Sequence, residues 1–332
     1  MGRKAIYHLG TIDYISGENP FKKLSLYFDK IVVPFNEFKE LANSYRVNLP
    51  DFNNQLSSYL TEIEFLNENG LIEYYDVEDV EKQIPIAAEK NPDIKRLAVN
   101  QFLFAESITD ERIENDYKSI SANPKAFGYL PESLQDENWK DLYKLSLVNQ
   151  ANHLRSQVVA LIFSESSHAD TFIAVIPQEL QTSSANTTQH LVTEFILRKL
   201  PEPSFSTSWE QIIDFRSDPD VRNKYLSLIT WINKGATTEA NLKHFFDEYE
   251  YLYSEYMKSF NLHKMQYNDS FLSVFINSVD NFTSSAIKGR FLSALKGLLS
   301  FREKRIEMLE AETKLIGREI SYIFHATEKF GK

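Results

Sequence analysis

Positions stepping alternately by three and four run through the last long segment of the chain. Leu292, Leu295, Leu299, Arg302, Ile306, Leu309, Thr313, Ile316, Ile320, Ile323 and Thr327 follow one another at heptad spacing, the mark of a helix with a sustained packing seam. Unbroken from Ser285 to Lys329, such a helix is roughly 67 Å long. Phe301, Met308, Leu315 and Tyr322 repeat every seven residues on an adjoining face. The apolar arc is therefore wide enough for a helix inside a bundle. A second heptad run, Leu242, Phe246, Tyr249, Tyr253, Tyr256 and Phe260, is its natural neighbour.

The first two hundred residues follow a different rhythm. Lys4–Ile12, Lys30–Phe35, Leu71–Val77 and Thr171–Ile176 are short runs rich in β-formers, so four strands are expected. Asn19-Pro20 starts a short helix, and Asp51–Asn69 carries a second with Gly70 as its C-terminal cap. Strand, helix, strand, helix, strand is the order that builds parallel units. From Glu78 to Pro131 the chain is acidic and punctuated by Pro85, Pro92, Pro124, Gly128 and Pro131, which predicts short helices, Asp93–Glu106 and Asp110–Ser121, with loops between. Trp139–Phe163 and His190–Leu200 read as helices. Pro201-Glu202-Pro203 marks a boundary. Beyond it only helices are expected, among them Trp209–Arg216 and Val221–Asn233. The fold class predicted is a mixed α/β domain, 1–203, with a small and mainly parallel sheet, followed by an antiparallel helical bundle, 204–332.

Composition narrows the chemistry. The 332 residues contain no cysteine, so disulfides, thiolate metal sites, iron–sulfur clusters and cysteine nucleophiles are excluded. The net charge of −11 argues against binding nucleic acid or membrane over the whole surface. No signal-peptide pattern opens the sequence and no run suits a membrane-spanning helix, so a cytoplasmic protein is expected. Phosphate-loop, dinucleotide, serine-hydrolase and zinc-protease signatures are missing from the sequence, and no cofactor or metal is expected.

The segments Leu24–Pro34 (LSLYFDKIVVP) and Trp209–Trp231 (WEQIIDFRSDPDVRNKYLSLITW) resemble uncharacterised bacterial proteins of no assigned activity. That resemblance implies a bacterial accessory protein, of the kind found in multi-component or defence systems.

Arg318 and His325, in an R-x6-H spacing, resemble the ribonuclease motif of HEPN-type helical proteins. The resemblance implies acid–base work for His325 and phosphate contact for Arg318, with Glu319 and Tyr322 at hand. Pro92-Asp93 with Asp116-Tyr117-Lys118 is reminiscent of the PD-(D/E)xK pattern of metal-dependent nucleases, but a helical setting favours a solvated surface. Lys288, Arg290, Lys296, Arg302, Lys304 and Arg305 face one acid, Glu303, and make a basic amphipathic stretch suited to nucleic acid or an acidic partner. Leu309, Ile316, Ile320 and Ile323 form the expected interaction seam. The leading expectation is an interaction or regulatory subunit that binds a protein partner or itself. A nuclease using Arg318 and His325, or a nucleic-acid binder using residues 288–305, is the alternative.

Overall fold

The computed structural model describes residues 2–8, 20–35, 61–127, 139–167, 169–175, 188–204, 206–235, 242–260 and 314–331. The chain divides into two compact units, Met1–Leu197 and Arg198–Lys332.

In the first unit four short strands, β1 (Arg3–Ile6), β2 (Lys30–Pro34), β3 (Ile72–Tyr75) and β4 (Thr171–Ala174), form a parallel sheet in the order β3-β2-β1-β4. Ile6 stands opposite Val32 on one side and Ala174 on the other. Strands in a parallel sheet are covered on both faces and need apolar residues on both. Ala5, Ile6, Ile31 and Val33 accordingly have no exposed surface. Alternation along β1 sends Ile6 to one face and Ala5 and Tyr7 to the other.

On the Tyr7 side lies α1 (Pro20–Tyr27). The Tyr7 and Phe21 rings meet edge to face at 5.4 Å, and the Arg3 guanidinium donates to the Tyr27 hydroxyl. The helix over 61–68, α2, leads into β3 through Gly70, whose φ of 68° suits a residue without a Cβ. The Ile6 side is covered by α3 (Val77–Lys90), α4 (Pro92–Glu106) and α6 (Trp139–Ser166). Their Val80, Ile94, Leu97, Val158, Val159 and Ile162 form one core with Ile6, Val32, Tyr75 and Ala174. Between α4 and α6 runs α5 (Asp110–Ala122). Asp76, Asn91 and Thr109 cap α3, α4 and α5 through their side-chain oxygens. The last helix of this region is α7 (Thr188–Lys199).

Two expectations need correction here. Pro85 does not interrupt the chain but lies inside α3. It sits on an exposed part of the helix, where solvent can take the place of the lost backbone donor. The first strand ends at Ile6 rather than Ile12, and 9–19 lie outside the described residues.

The described residues of the second unit hold helices and no strand: α8 (Trp209–Ser217), α9 (Pro219–Gly235), α10 over 242–260, a 3-10 turn Arg318–Ile320 and α11 (Ser321–Phe330). Ser208 and Gln211 close a capping box on α8. Aromatic rings fill the unit. Tyr322 packs against Phe215 at 5.8 Å and Tyr225 at 5.4 Å, and Trp231 stacks on Phe245 at 4.3 Å. The long continuous helix expected up to Lys329 does not form in its last part. Gly317 takes φ 83° and breaks it. A Cβ there would lie 2.3 Å from the Leu252 carbonyl oxygen, so glycine lets this segment touch α10. The bundle expected from the two heptad runs depends on 261–313, which lie outside the described residues.

Candidate functional site

β1 is the strand from which the chain first moves outward to β2 and β3 and beside which it later lays β4. The connections therefore diverge between β1 and β4. In open α/β sheets the crevice at the carboxyl ends of two such strands is where ligands are held. Tyr7 N–H donates to Val32 O, and Val175 N–H donates to Ile6 O, both at 3.0 Å. Backbone pairing thus continues just past the strand ends, and the next residue, His8, is only 1% exposed.

α6 supplies the opposite wall. Its C-terminal end leads within a few residues to the start of β4, and the Ser164 hydroxyl donates to Phe172 O. Moving back along α6 therefore means moving toward the carboxyl ends of the strands. Val158 and Val159 lie at the level of Ile6. The turns before them carry Gln157, Ser156, His153 and Asn149, all buried. Asn149, His153 and Gln157 are four residues apart in succession and so share one stripe of the helix.

The imidazoles of His8 and His153 approach to 6.3 Å between centroids, inclined at 72°. His153 and Asn149 are each 4% exposed. Burial, and secondarily the neighbouring His8, pushes the His153 imidazole down to about 4, so it is neutral at pH 7. Among the described residues, Asn149 Nδ2, His153 Nδ1 and Gln157 Oε1 find no hydrogen-bond partner. A buried polar atom left unsatisfied costs about 1–3 kcal/mol. Three such atoms lie in one stripe of α6, on its part toward the carboxyl ends of the strands.

The charges of the sheet gather at its other end. Lys4 pairs with Glu73 at 2.9 Å and Asp170 at 3.1 Å, and Lys30 also pairs with Glu73. Burial opposes charge on Glu73, but hydrogen bonds from Lys30 and Lys4 outweigh it and hold the carboxyl below its usual range. Arg155 of α6 reaches Glu81 of α3 at 3.9 Å. The stripe on α6 is itself uncharged.

The residues singled out from sequence are distributed differently. Arg318 is exposed and Glu319 half-buried, both in the 3-10 turn rather than in the helix of His325. That turn runs directly into the helix Ser321–Phe330 that carries His325. His325 Nε2 lies 3.3 Å from the Tyr256 hydroxyl, with Phe260 and Phe324 rings around it. Tyr322 is buried among aromatics. Ile320 and Ile323 are buried and belong to the core of their unit, while Ile316 is 53% exposed. Leu309 and all six basic residues Lys288, Arg290, Lys296, Arg302, Lys304 and Arg305 lie outside the described residues. Asp93 pairs with Arg96 at 3.2 Å and Asp116 with Arg112 at 3.4 Å, all on helices. Among the described residues no group of three potential metal ligands occurs, and no helix is long and apolar enough to cross a membrane.

The apolar positions of α6 announce the helix but not its polar stripe. The available signal was Asn149, His153 and Gln157 at four-residue spacing inside a helix that also carries Leu147, Val158, Val159 and Ile162.

Comparison with protein-family models, with curated proteins and with solved structures gives no match for this chain.

Proposed function

We propose that the chain is a non-catalytic binding protein of regulatory type, whose α/β unit takes a small polar molecule at the carboxyl ends of β1 and β4. The observation that carries this reading is the stripe Asn149, His153 and Gln157, each with a buried polar atom that nothing among the described residues satisfies. A purely structural helix gains from apolar residues at such positions, whereas a ligand site needs a few placed polar groups on an apolar wall. The test is release of bound material. Full-length protein is purified, denatured, and its low-mass fraction examined by mass spectrometry beside that of Asn149→Leu. One compound near one per chain in the wild type, absent from the variant, is the expected result. No compound from the wild type, or equal release from both, overturns the reading.

A protein-interaction reading has its own support. Val99, Phe102 and Leu103 lie on one face of α4, 49%, 60% and 60% exposed. Apolar side chains grouped so on a helix face suit a protein partner or a second copy of the chain. This moves the interaction surface from the C-terminal seam, where Ile320 and Ile323 are core, to the α/β unit.

A further inference from the structure

We propose that the exposed row on α4 is a self-complementary seam that packs antiparallel against the same row of a second copy of this chain. This rests on the protein-interaction reading above and names its partner and register.

The row is longer than its apolar part. Lys95, Val99, Phe102 and Glu106 are all exposed and follow one another by four, three and four residues. At about 100° per residue they fall within roughly 60° of the helix circumference, with Leu103 beside them. The other side of the helix packs into the core through Ile94 and Leu97. α4 therefore shows solvent a short heptad seam of its own, with a cation at one end and a carboxylate at the other.

That seam reads the same from either end once charge is exchanged. A second α4 laid against it in the opposite direction, about a two-fold axis between Asn100 and Gln101, sets Lys95 against the partner's Glu106 and Val99 against the partner's Phe102. A closed two-fold interface requires this kind of self-complementarity. A parallel arrangement would put like charges together at both ends. Among the described residues neither Lys95 nor Glu106 makes an ion pair, whereas Arg96 is paired with Asp93. Both end charges thus remain available across the seam. One row of this length covers less than the roughly 800 Å² per partner of a stable complex, so the association is weak and set by chain concentration.

Sedimentation equilibrium of the full chain at low ionic strength, where surface charges are least screened, tests the seam. The wild type is expected to dimerise reversibly. Lys95→Glu and Glu106→Lys alone each set two like-charged pairs across the seam and weaken the dimer about fivefold or more. Mixed in equal amounts, the two variants form a heterodimer at least as tight as the wild-type dimer, because every end pair is then opposite in charge. Each exchange suits the helix dipole, so unfolding temperatures hold and lost association is not lost folding. A wild type that stays monomeric throughout overturns the second copy as occupant without touching the reading for another protein partner. A dimer indifferent to the single exchanges, or not recovered in the mixture, overturns the register. Phe102→Glu then decides the reading beneath it, which stands if this variant dissociates the dimer and falls if it does not.

Discussion

His153 is the residue whose environment is most plainly at odds with its chemistry. An imidazole with an ordinary value near 6.5 is driven to about 4 by burial and by its neighbour His8. The unfolded chain takes up a proton at this residue below about pH 6.5, while the folded chain resists it down to about 4. The associated stability is fully present above pH 6.5 and is lost as the pH falls toward 4, by about 3 kcal/mol in all. Urea unfolding followed between pH 7.5 and 4 should show a steeper loss in the wild type than in His153→Phe. Parallel curves for the two proteins contradict a buried neutral imidazole. In the sequence, His8 and His153 stood 145 residues apart, and nothing local connected them. Only the return of β4 to the side of β1 brings α6 and its histidine to the end of the first strand.

At the level of elements, all four strands were legible because short β-branched and aromatic runs between breakers leave few other readings. The residues that start and stop helices were legible too, Pro20 and Gly70 above all. Two elements were misread for one reason, that a residue's local preference was weighed without its surroundings. Pro85 has the local preference of a breaker, yet its helix continues on an exposed side. Gly317 sits inconspicuously within a heptad row, yet the close approach of Leu252 and Tyr256 of α10 demands a glycine there. Ile320 and Ile323 then turn into the core of their own unit. The exposed row on α4 is the element that carries the interaction reading. Light scattering across a concentration series should show the wild type heavier than its 38.6 kDa chain, and Phe102→Glu with Leu103→Glu at chain mass with unchanged helicity. A wild type that stays at chain mass throughout removes self-association through this face.

At the scale of the whole α/β unit, charge and polarity are segregated. Lys4, Lys30, Glu73 and Asp170 neutralise one another at the amino ends of the strands. Toward the carboxyl ends α6 carries the uncharged stripe Asn149, His153 and Gln157, each with one buried polar atom that no described residue satisfies. The parallel order was foreseeable from alternating strands and helices. The point where the order reverses was not, since it depends on which side of β1 the last strand joins. The most direct measurement is the unfolding free energy of Asn149→Leu relative to the wild type, in the absence of added ligand. If Asn149 is held for a ligand, the isosteric apolar side chain removes an unsatisfied buried amide and the variant is more stable by about 1 kcal/mol or more. A loss of about 1 kcal/mol or more would show instead that Asn149 is hydrogen-bonded into the fold, and the ligand site would fall with it.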